Sequence, residues 1–435
     1  MAAEGEEARS PHVVLFPFLA HGHIPAFLRL AGHLQVLRPG LAVTLVSTPR
    51  LLGSLSLPAT SPPIRLHALP FAPADHGLPD GAESLADLHV HQFITLFRAS
   101  ESLRPAFDGF VAGIRPPVCV IADSFFAWTA DVARARGASH AVFLPGGAFG
   151  HAAFFSVWEH LPHTLTAGGD EFPLLPDFPD VVLHRTQIPQ YMLAATGADP
   201  WTAFFRRVIP CCRKTDAVLV NTVQELETSG LDMLRASFGV QTWAIGPILA
   251  APDPSKSQDD DDTSIIRWLD AHPRRSVLYI SFGSQNSISI RQMAELALGL
   301  EASGRPFVWA VRFVTHCGWN SILESLRHGV PLLGWPVGAE QFFNAMVVVE
   351  WGVCVEVARG NLESSAVESG EVAEAVGAVM GETEKGEAMR RKAGEIARAM
   401  AAAWEGPAGS SAASLERFLR CVEASALRDS CLGAS

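Results

Sequence analysis

A two-domain α/β protein with parallel sheets is the fold class that the sequence predicts, and three observations carry it. Short apolar runs recur along the chain, each leading into a stretch with helical spacing and then into another apolar run. This pattern stops once, at a polar, proline-containing stretch, and then restarts. Hydrophobic residues make up 48% of the 435 positions against 18% charged, enough to bury about two cores.

The first apolar run is His12 to Pro17, HVVLFP. A helical pattern follows from Ile24 to Leu37, with Leu28, Leu30 and Leu34 spaced to share a face, and Arg38-Pro39-Gly40 ends it. Leu41 to Val46 reads as the next strand. The same order returns at Val118 to Ala122, Phe125 to Arg136 and Ala141 to Leu144, and a further strand is expected at Ala217 to Asn221. A buried strand, a helix and another buried strand form the unit of a parallel sheet. Ala251 to Thr263, APDPSKSQDDDDT, reads as a solvated linker, and its acidic run lacks calcium-loop spacing. Beyond it, Ser276 to Ser281 is expected as a strand, Phe282-Gly283-Ser284 as a turn, Ile290 to Ser303 as a helix and Pro306 to Val311 as a strand. Val372 to Ala403 reads as one Ala-rich helix, and Ala412 to Leu427 as a last helix after the Gly406-Pro407 break. The expected divisions are 1–250, a linker at 251–263, a second domain at 264–406 and a terminal helix region at 407–435. One place breaks the order: Pro306 to Val311 meets Arg312 and a second apolar run, Phe313 to His316, with no turn between them. Parallel neighbours need a crossover of about a dozen residues, so this is one long strand or a joint from which a connecting unit is missing.

Composition excludes several functions. With 33 Lys and Arg against 45 Asp and Glu, the net charge is -12, and no basic cluster offers a surface for nucleic acid or anionic membrane. No 18-residue apolar run exists to span a bilayer, and MAAEGEEARSPH lacks the form of a secretory signal. Seven cysteines in a chain of this length point to a reduced, cytoplasmic setting.

Two constellations could carry chemistry. In Thr315-His-Cys-Gly-Trp-Asn-Ser321-Ile-Leu-Glu324 a strand is expected to end at His316, Gly318 to turn, and Ser321 to open a helix with Glu324 at capping-box spacing. Gly329 and Pro331 would close it. Such a helix start binds phosphate through free N–H groups and the dipole, though an ordinary capped helix has the same spacing. His21-Gly22-His23 sits between the first strand and first helix, where ligands of open α/β sheets bind. Either a general base or a structural histidine fits there, and Asp123, ending another strand, could orient an imidazole. A metal site from His21, His23, His89 and His91 needs more ligands than the sequence locates. No glycine fingerprint for a nicotinamide cofactor, Walker A loop or nucleophile elbow is present, and Cys211-Cys212 is not a redox C-x-x-C pair. Phe125, Phe126, Phe149, Phe154, Phe155 and Trp158 form an aromatic zone that reads as core or as an apolar acceptor pocket.

Phe313 to Ala345, FVTHCGWNSILESLRHGVPLLGWPVGAEQFFNA, resembles the signature box of plant UDP-sugar-dependent glycosyltransferases. FPFLAHGHIPAFLRLAGHL, VIADSFFAW, VNTVQELE, AIGP and WLDAHPRRSVLYISFGS resemble further segments of that family. The resemblance implies a GT-B fold: two Rossmann-like domains, acceptor-binding and then donor-binding, with the last helix returning to the first. It implies inverting transfer of a hexose, by tendency glucose because of Gln341, to a hydroxyl of a small lipophilic plant metabolite. His23 would take the acceptor proton and Asp123 would steady the imidazolium. His316, the backbone near Asn320 and Ser321, and Ser284 would meet the phosphates. Glu324 would hold the ribose, and Trp319, Glu340 and Gln341 the sugar. No metal or cofactor is implied beyond the UDP-sugar co-substrate, and a monomer suffices. The family's box opens with W-A-P-Q, which this chain lacks, so a strand and helix unit of roughly 50 residues is expected to be missing between Arg312 and Phe313, the same joint that breaks the strand order. An impaired or inactive member that only binds acceptor or a partner is the alternative reading.

Overall fold

The computed structural model describes residues 11–55, 57, 62–166, 169–249, 260–280, 288–309, 316–360 and 366–432. It divides into two compact units. The first comprises Met1–Leu161, Ala195–Ile248 and Ala402–Ser435, and the second Pro162–Ala194 and Leu249–Ala401. The stretch Pro162–Ala194 thus groups with the second unit, where the sequence pattern had placed it in a domain spanning 1–250.

The strands in order are β1 (His12–Phe16), β2 (Val43–Ser47), β3 (Arg65–Ala68), β4 (Val118–Asp123), β5 (Ser139–Leu144), β6 (Glu171–Leu174), β7 (Phe178–His184), β8 (Ala217–Val220) and β9 (Gln241–Ala244). Seven of them form one parallel sheet in the order β3-β2-β1-β4-β5-β8-β9. β2 and β4 are buried at every residue, as strands covered on both faces must be, which is why they read as near-continuous apolar runs. Val13 on β1 pairs with Val43 on one side and Cys119 on the other. From β1 and β4 the strand order runs outward in opposite directions, so the gap between their C-terminal ends is the switch point at which such sheets hold ligands.

The expected first helix is present with the expected bounds, Ile24–Leu37, and buries Phe27, Leu30, Ala31 and Leu34. Pro25 lies in its first turn, where a missing N–H costs nothing. The final helix, Ser410–Leu432, packs on β9. Arg38, past the end of the first helix, clamps it through Glu416 at 2.6 and 3.0 Å and Glu423 at 2.9 Å.

Three expectations are corrected. Val372 to Ala403 is two helices, Ser369–Met380 and Glu384–Ala402. Gly381 leaves the helix in extended backbone, and Arg390 from the second helix caps the carbonyls of Val379 (2.9 Å) and Gly381 (3.2 Å). Phe125 to Arg136 is not one helix: a 3-10 turn at Ser124–Phe126 precedes the helix Thr129–Ala135. The acidic end of the linker falls within a helix, Asp260–Asp270; 251–259 lies outside the described residues.

In the second unit β10 (Leu278–Ile280) pairs with β11 (Phe307–Trp309), and β12 (Leu332–Gly334) with β13 (Cys354–Glu356), both parallel. β6 and β7 make a separate antiparallel hairpin. One core serves both parallel pairs: Leu278, Ile280, Leu296 and Leu300 meet Trp335, Val372 and Val376. The Arg312–Phe313 joint and the turn carrying Ser284 lie outside the described residues.

Candidate active site

His23 and Asp123 are brought together by the sheet. β1 ends at Phe16, the chain turns, and His23 stands immediately before the first helix; β4, the neighbour of β1, ends at Asp123. His23 Nδ1 lies 2.6 Å from Asp123 Oδ2. Asp123 is fully buried, and its other oxygen accepts the Phe125 N–H at 3.2 Å and lies 3.5 Å from the Ser124 hydroxyl. A carboxylate so held keeps the proton on Nδ1 and the basic lone pair on Nε2. The imidazole retains 24% side-chain exposure, so a substrate can reach it.

The aromatic zone resolves into two parts. Phe126, Phe154, Phe155 and Trp158 are core. Phe125 is half-buried, with its ring 5.8 Å from that of His23, and Phe18 flanks the same imidazole at 5.9 Å. Phe18 was missed by sequence reasoning; its place directly after the first strand was the available signal. His89 and His91 stack on each other at 5.8 Å, and His23 is engaged by Asp123, not by a histidine ligand set. Cys212 is a buried thiol that donates to the Ser124 carbonyl at 3.4 Å, and burial pushes its pKa up.

The second constellation lies in the second unit. The helix begins at Trp319, not at Ser321, and runs to Arg327 with Gly318 as its N-cap. Ser321 and Glu324 are therefore not a capping box. The turn comes earlier because Cys317 adopts φ 57, in the left-handed region, and Gly318 extends from it. The Ile322 N–H donates to the Gly318 carbonyl at 3.1 Å, so Trp319, Asn320 and Ser321 make up the first turn of the helix. His316 stands over this turn: a Cβ on Gly318 would collide with its imidazole. Desolvation lowers the His316 pKa to about 4, so the ring is neutral at pH 7. Its shielded Nδ1 has no hydrogen-bond partner among the described residues, as expected of a group that awaits a ligand. A neutral imidazole and a helix N-terminus together suit a diphosphate.

The other expected donor residues fall as follows. The Trp319 ring is buried and packs edge-on against Trp351 at 6.1 Å, so only its backbone belongs to the helix mouth. Asn320 and Ser321 are half-buried and Glu324 is exposed one turn on. Glu340 precedes the helix Gln341–Glu350. Gln341 is buried, and its Oε1 accepts the N–H groups of Val337 (3.1 Å) and Gly338 (2.9 Å), leaving its Nε2 as the end that could meet a ligand. Asn344, unnoticed in the sequence, joins this helix to the turn before Trp319 by donating to the Cys317 carbonyl at 3.1 Å.

The chain is similar to proteins already known. Residues 310–393 match the family described as UDP-glucoronosyl and UDP-glucosyl transferase. The chain is 36% identical over 477 residues to UDP-glycosyltransferase 92A1 of Arabidopsis thaliana, covering 94% of this chain and 97% of that protein. It is 37% identical over 428 residues to crocetin glucosyltransferase 3 of Crocus sativus, covering 82% and 89%. The fold matches that of UGT71G1 of Medicago truncatula, solved with UDP-glucose, with a TM-score of 0.77 at 23% identity over 96% of this chain and 99% of that one. It also matches UGT73P12 of Glycyrrhiza uralensis, solved with glycyrrhetinic acid 3-O-monoglucuronide, with a TM-score of 0.80 at 24% identity over 98% and 99%.

Proposed function

The chain belongs to the UDP-glycosyltransferase family, and from that premise we propose that it transfers glucose from UDP-glucose, with inversion, to a hydroxyl of a small lipophilic plant metabolite. The observation that carries the proposal is the His23–Asp123 pair, 2.6 Å apart at the switch point of the first sheet. In this mechanism His23 Nε2 removes the acceptor hydroxyl proton. The oxygen attacks the anomeric carbon, the bond from that carbon to the diphosphate oxygen breaks, and its electron pair leaves with UDP. The proton stays on His23 as an imidazolium that Asp123 stabilises. The half-buried ring of Phe125 offers the acceptor an apolar surface beside the base.

Donor roles fall to the second unit. The first-turn N–H groups of Trp319, Asn320 and Ser321 and the neutral His316 would meet the charge that grows on the diphosphate. Ser284 would join them. Glu324 would hold the ribose, and Glu340 and Gln341 the sugar hydroxyls. No metal or further cofactor has a part in this scheme, because N–H donors neutralise a leaving group that is already stable. We place the protein in the cytoplasm as a monomer; no helix among the described residues is long and apolar enough to cross a membrane. The relatives are named as transferases, which gives the inactive reading no support.

The test is transfer from UDP-glucose to a panel of phenolic and terpenoid alcohols, with His23→Ala as control. Loss of a positioned general base lowers turnover about 10²- to 10⁴-fold. Undiminished transfer by the variant overturns the mechanism. No transfer to any acceptor, with no UDP binding by calorimetry, overturns the function.

A further inference from the structure

Among the described residues, four that are not glycine stand in the left-handed region, and two of them lie in the donor loops of the second unit: Cys317 at φ 57 and Ala339 at φ 51. A Cβ makes this conformation costly, so it persists where neighbouring groups enforce it. Both loops are gripped by the first turn of one helix, Gln341–Glu350. Gln341 Oε1 accepts the N–H groups of Val337 and Gly338, directly before Ala339, at 3.1 and 2.9 Å. Asn344, three residues on and therefore on the same helix face, donates through Nδ2 to the Cys317 carbonyl at 3.1 Å.

Asn344 is fully buried, and its backbone N–H donates to the Glu340 carbonyl at 3.0 Å, within its own helix start. Its Oδ1 is shielded and has no hydrogen-bond partner among the described residues. An orphaned oxygen costs stability, so this amide is kept for its donor end. That end secures the carbonyl of the residue whose left-handed turn leads the chain from His316 into Gly318 and the Trp319–Arg327 helix. The His316 ring lies where a Cβ on Gly318 would stand, so the imidazole and the helix start hold one register across this turn. A rotation at Cys317 would part them.

We infer that Asn344 is a positioning residue for the diphosphate: by holding the Cys317 carbonyl it fixes the left-handed turn, and with it the aim of His316 and of the helix start at Trp319. The inference rests on the proposed donor role of that turn and deepens it. Its effect belongs to the diphosphate, which UDP and UDP-glucose share, and not to the sugar, which the proposed scheme gives to Glu340 and Gln341.

The experiment is calorimetric titration of the full chain, as wild type, Asn344→Ala, Cys317→Gly and the double variant, with UDP and separately with UDP-glucose. Asn344→Ala removes the amide. Its affinities for UDP and UDP-glucose should fall together, about five- to tenfold, the effect of one lost hydrogen bond on a strained turn. Glycine takes up the left-handed conformation without a side-chain penalty, so in the Cys317→Gly background the loss of Asn344 should cost less than about twofold. In turnover the KM for the acceptor should hold. Unchanged UDP binding by Asn344→Ala overturns the inference. Equal losses in both backgrounds overturn it too, by showing a general support of the helix, and a loss confined to UDP-glucose would place the effect on the sugar loop instead. Should Asn344→Ala not fold, Asn344→Asp keeps the shape and puts an acceptor in place of the donor. It should weaken UDP binding about tenfold or more, and undiminished binding by it overturns the inference. A wild type that binds no UDP removes the donor reading itself and the inference with it, an outcome distinct from these.

Discussion

Each unit holds a neutral histidine, buried in the first and half-buried in the second, and the two are satisfied differently. In the first unit His140, on β5, bonds Thr129 at 2.9 Å through one ring nitrogen and Thr215 at 2.8 Å through the other, and burial lowers its pKa to about 3. In the second unit His316 has a pKa of about 4 and an Nδ1 with no partner among the described residues. The hydrogen bonding of the two rings differs, and a ring with both nitrogens engaged is one that holds the fold. The sheets differ in the same sense. The first unit places His23 and Asp123 beyond and at the ends of adjacent interior strands of a seven-stranded sheet. The second unit has strand pairs among its described residues, with Tyr279 of β10 64% exposed, and builds its donor features from helix starts and loops. The proposed proton transfer thus belongs to the unit with the continuous sheet.

The largest effect should come from Asp123→Asn, which breaks the rigid side of that contrast. The shape is retained but the charge is lost, and the amide no longer enforces the Nδ1–H tautomer. Turnover should fall about 10³- to 10⁴-fold while UDP affinity stays constant. A parallel fall in UDP affinity would mean that Asp123 supports the molecule at large.

The second contrast is sharpened by treating the two histidines alike. His140→Ala strands two buried hydroxyls and opens a cavity, so unfolding should come about 2–4 kcal/mol sooner in urea, with turnover of the folded protein unchanged. Gly318→Ala drives a methyl group into the His316 ring and should weaken UDP binding about tenfold or more, with little change in stability. Restoring a family strand and helix unit at the Arg312–Phe313 joint should strengthen UDP binding by a similar factor, because a base-stacking aromatic contributes about 1–3 kcal/mol. No gain would remove the missing-unit reading.

These contrasts also show what the sequence could disclose. β2, β4 and the first helix were legible because both-face burial leaves apolar runs and amphipathic burial leaves a helical period. His23 and Asp123 were legible as strand-end residues, but their pairing across 100 positions follows from β1 lying beside β4, which no local pattern reports. The true helix start at Trp319 was hidden because a glycine N-cap leaves no side-chain signal, while Ser321 supplied a false one. In VNTVQELE the structure gives the polar residues structural work. Asn221 accepts the Ile248 N–H at 2.7 Å, and Glu227 caps the Ala148–His160 helix through Ala148 (2.9 Å) and Phe149 (3.1 Å). The grouping of Pro162–Ala194 with the second unit was invisible, since nothing local in that stretch announces it.

Acidification tests the histidines together. Both have folded pKa values below the ordinary 6.5, so the unfolded chain binds the extra protons. Their contribution to stability is whole above pH 6.5, declines as pH falls, and is exhausted near pH 4 for His316 and near pH 3 for His140. Melting temperature should therefore drop between pH 6.5 and 4, and His140→Gln should flatten that drop. If UDP binds neutral His316, saturating UDP should hold the melting temperature up most at the higher end of this range. An unaltered slope in the His140 variant would show that other groups govern acid stability.

The smallest effect should come from Arg38, where the first helix meets the last. Its guanidinium bonds two carboxylates on Ser410–Leu432, and the ion pairs are partly exposed, with side chains 23%, 25% and 31% accessible for Arg38, Glu416 and Glu423. Solvent screening limits such pairs, so Arg38→Ala should cost only about 1 kcal/mol, less at high salt. The Ser411 hydroxyl on the Gly246 carbonyl and the packing of the helix on β9 remain in the variant. The terminal helix should thus stay docked, which hydrogen exchange of 410–425 can follow: modestly faster exchange there with unchanged turnover is expected. Complete loss of protection would mean that the arginine clamp, and not the apolar face of Leu415, Phe418 and Leu419, holds the chain's end on the rigid unit.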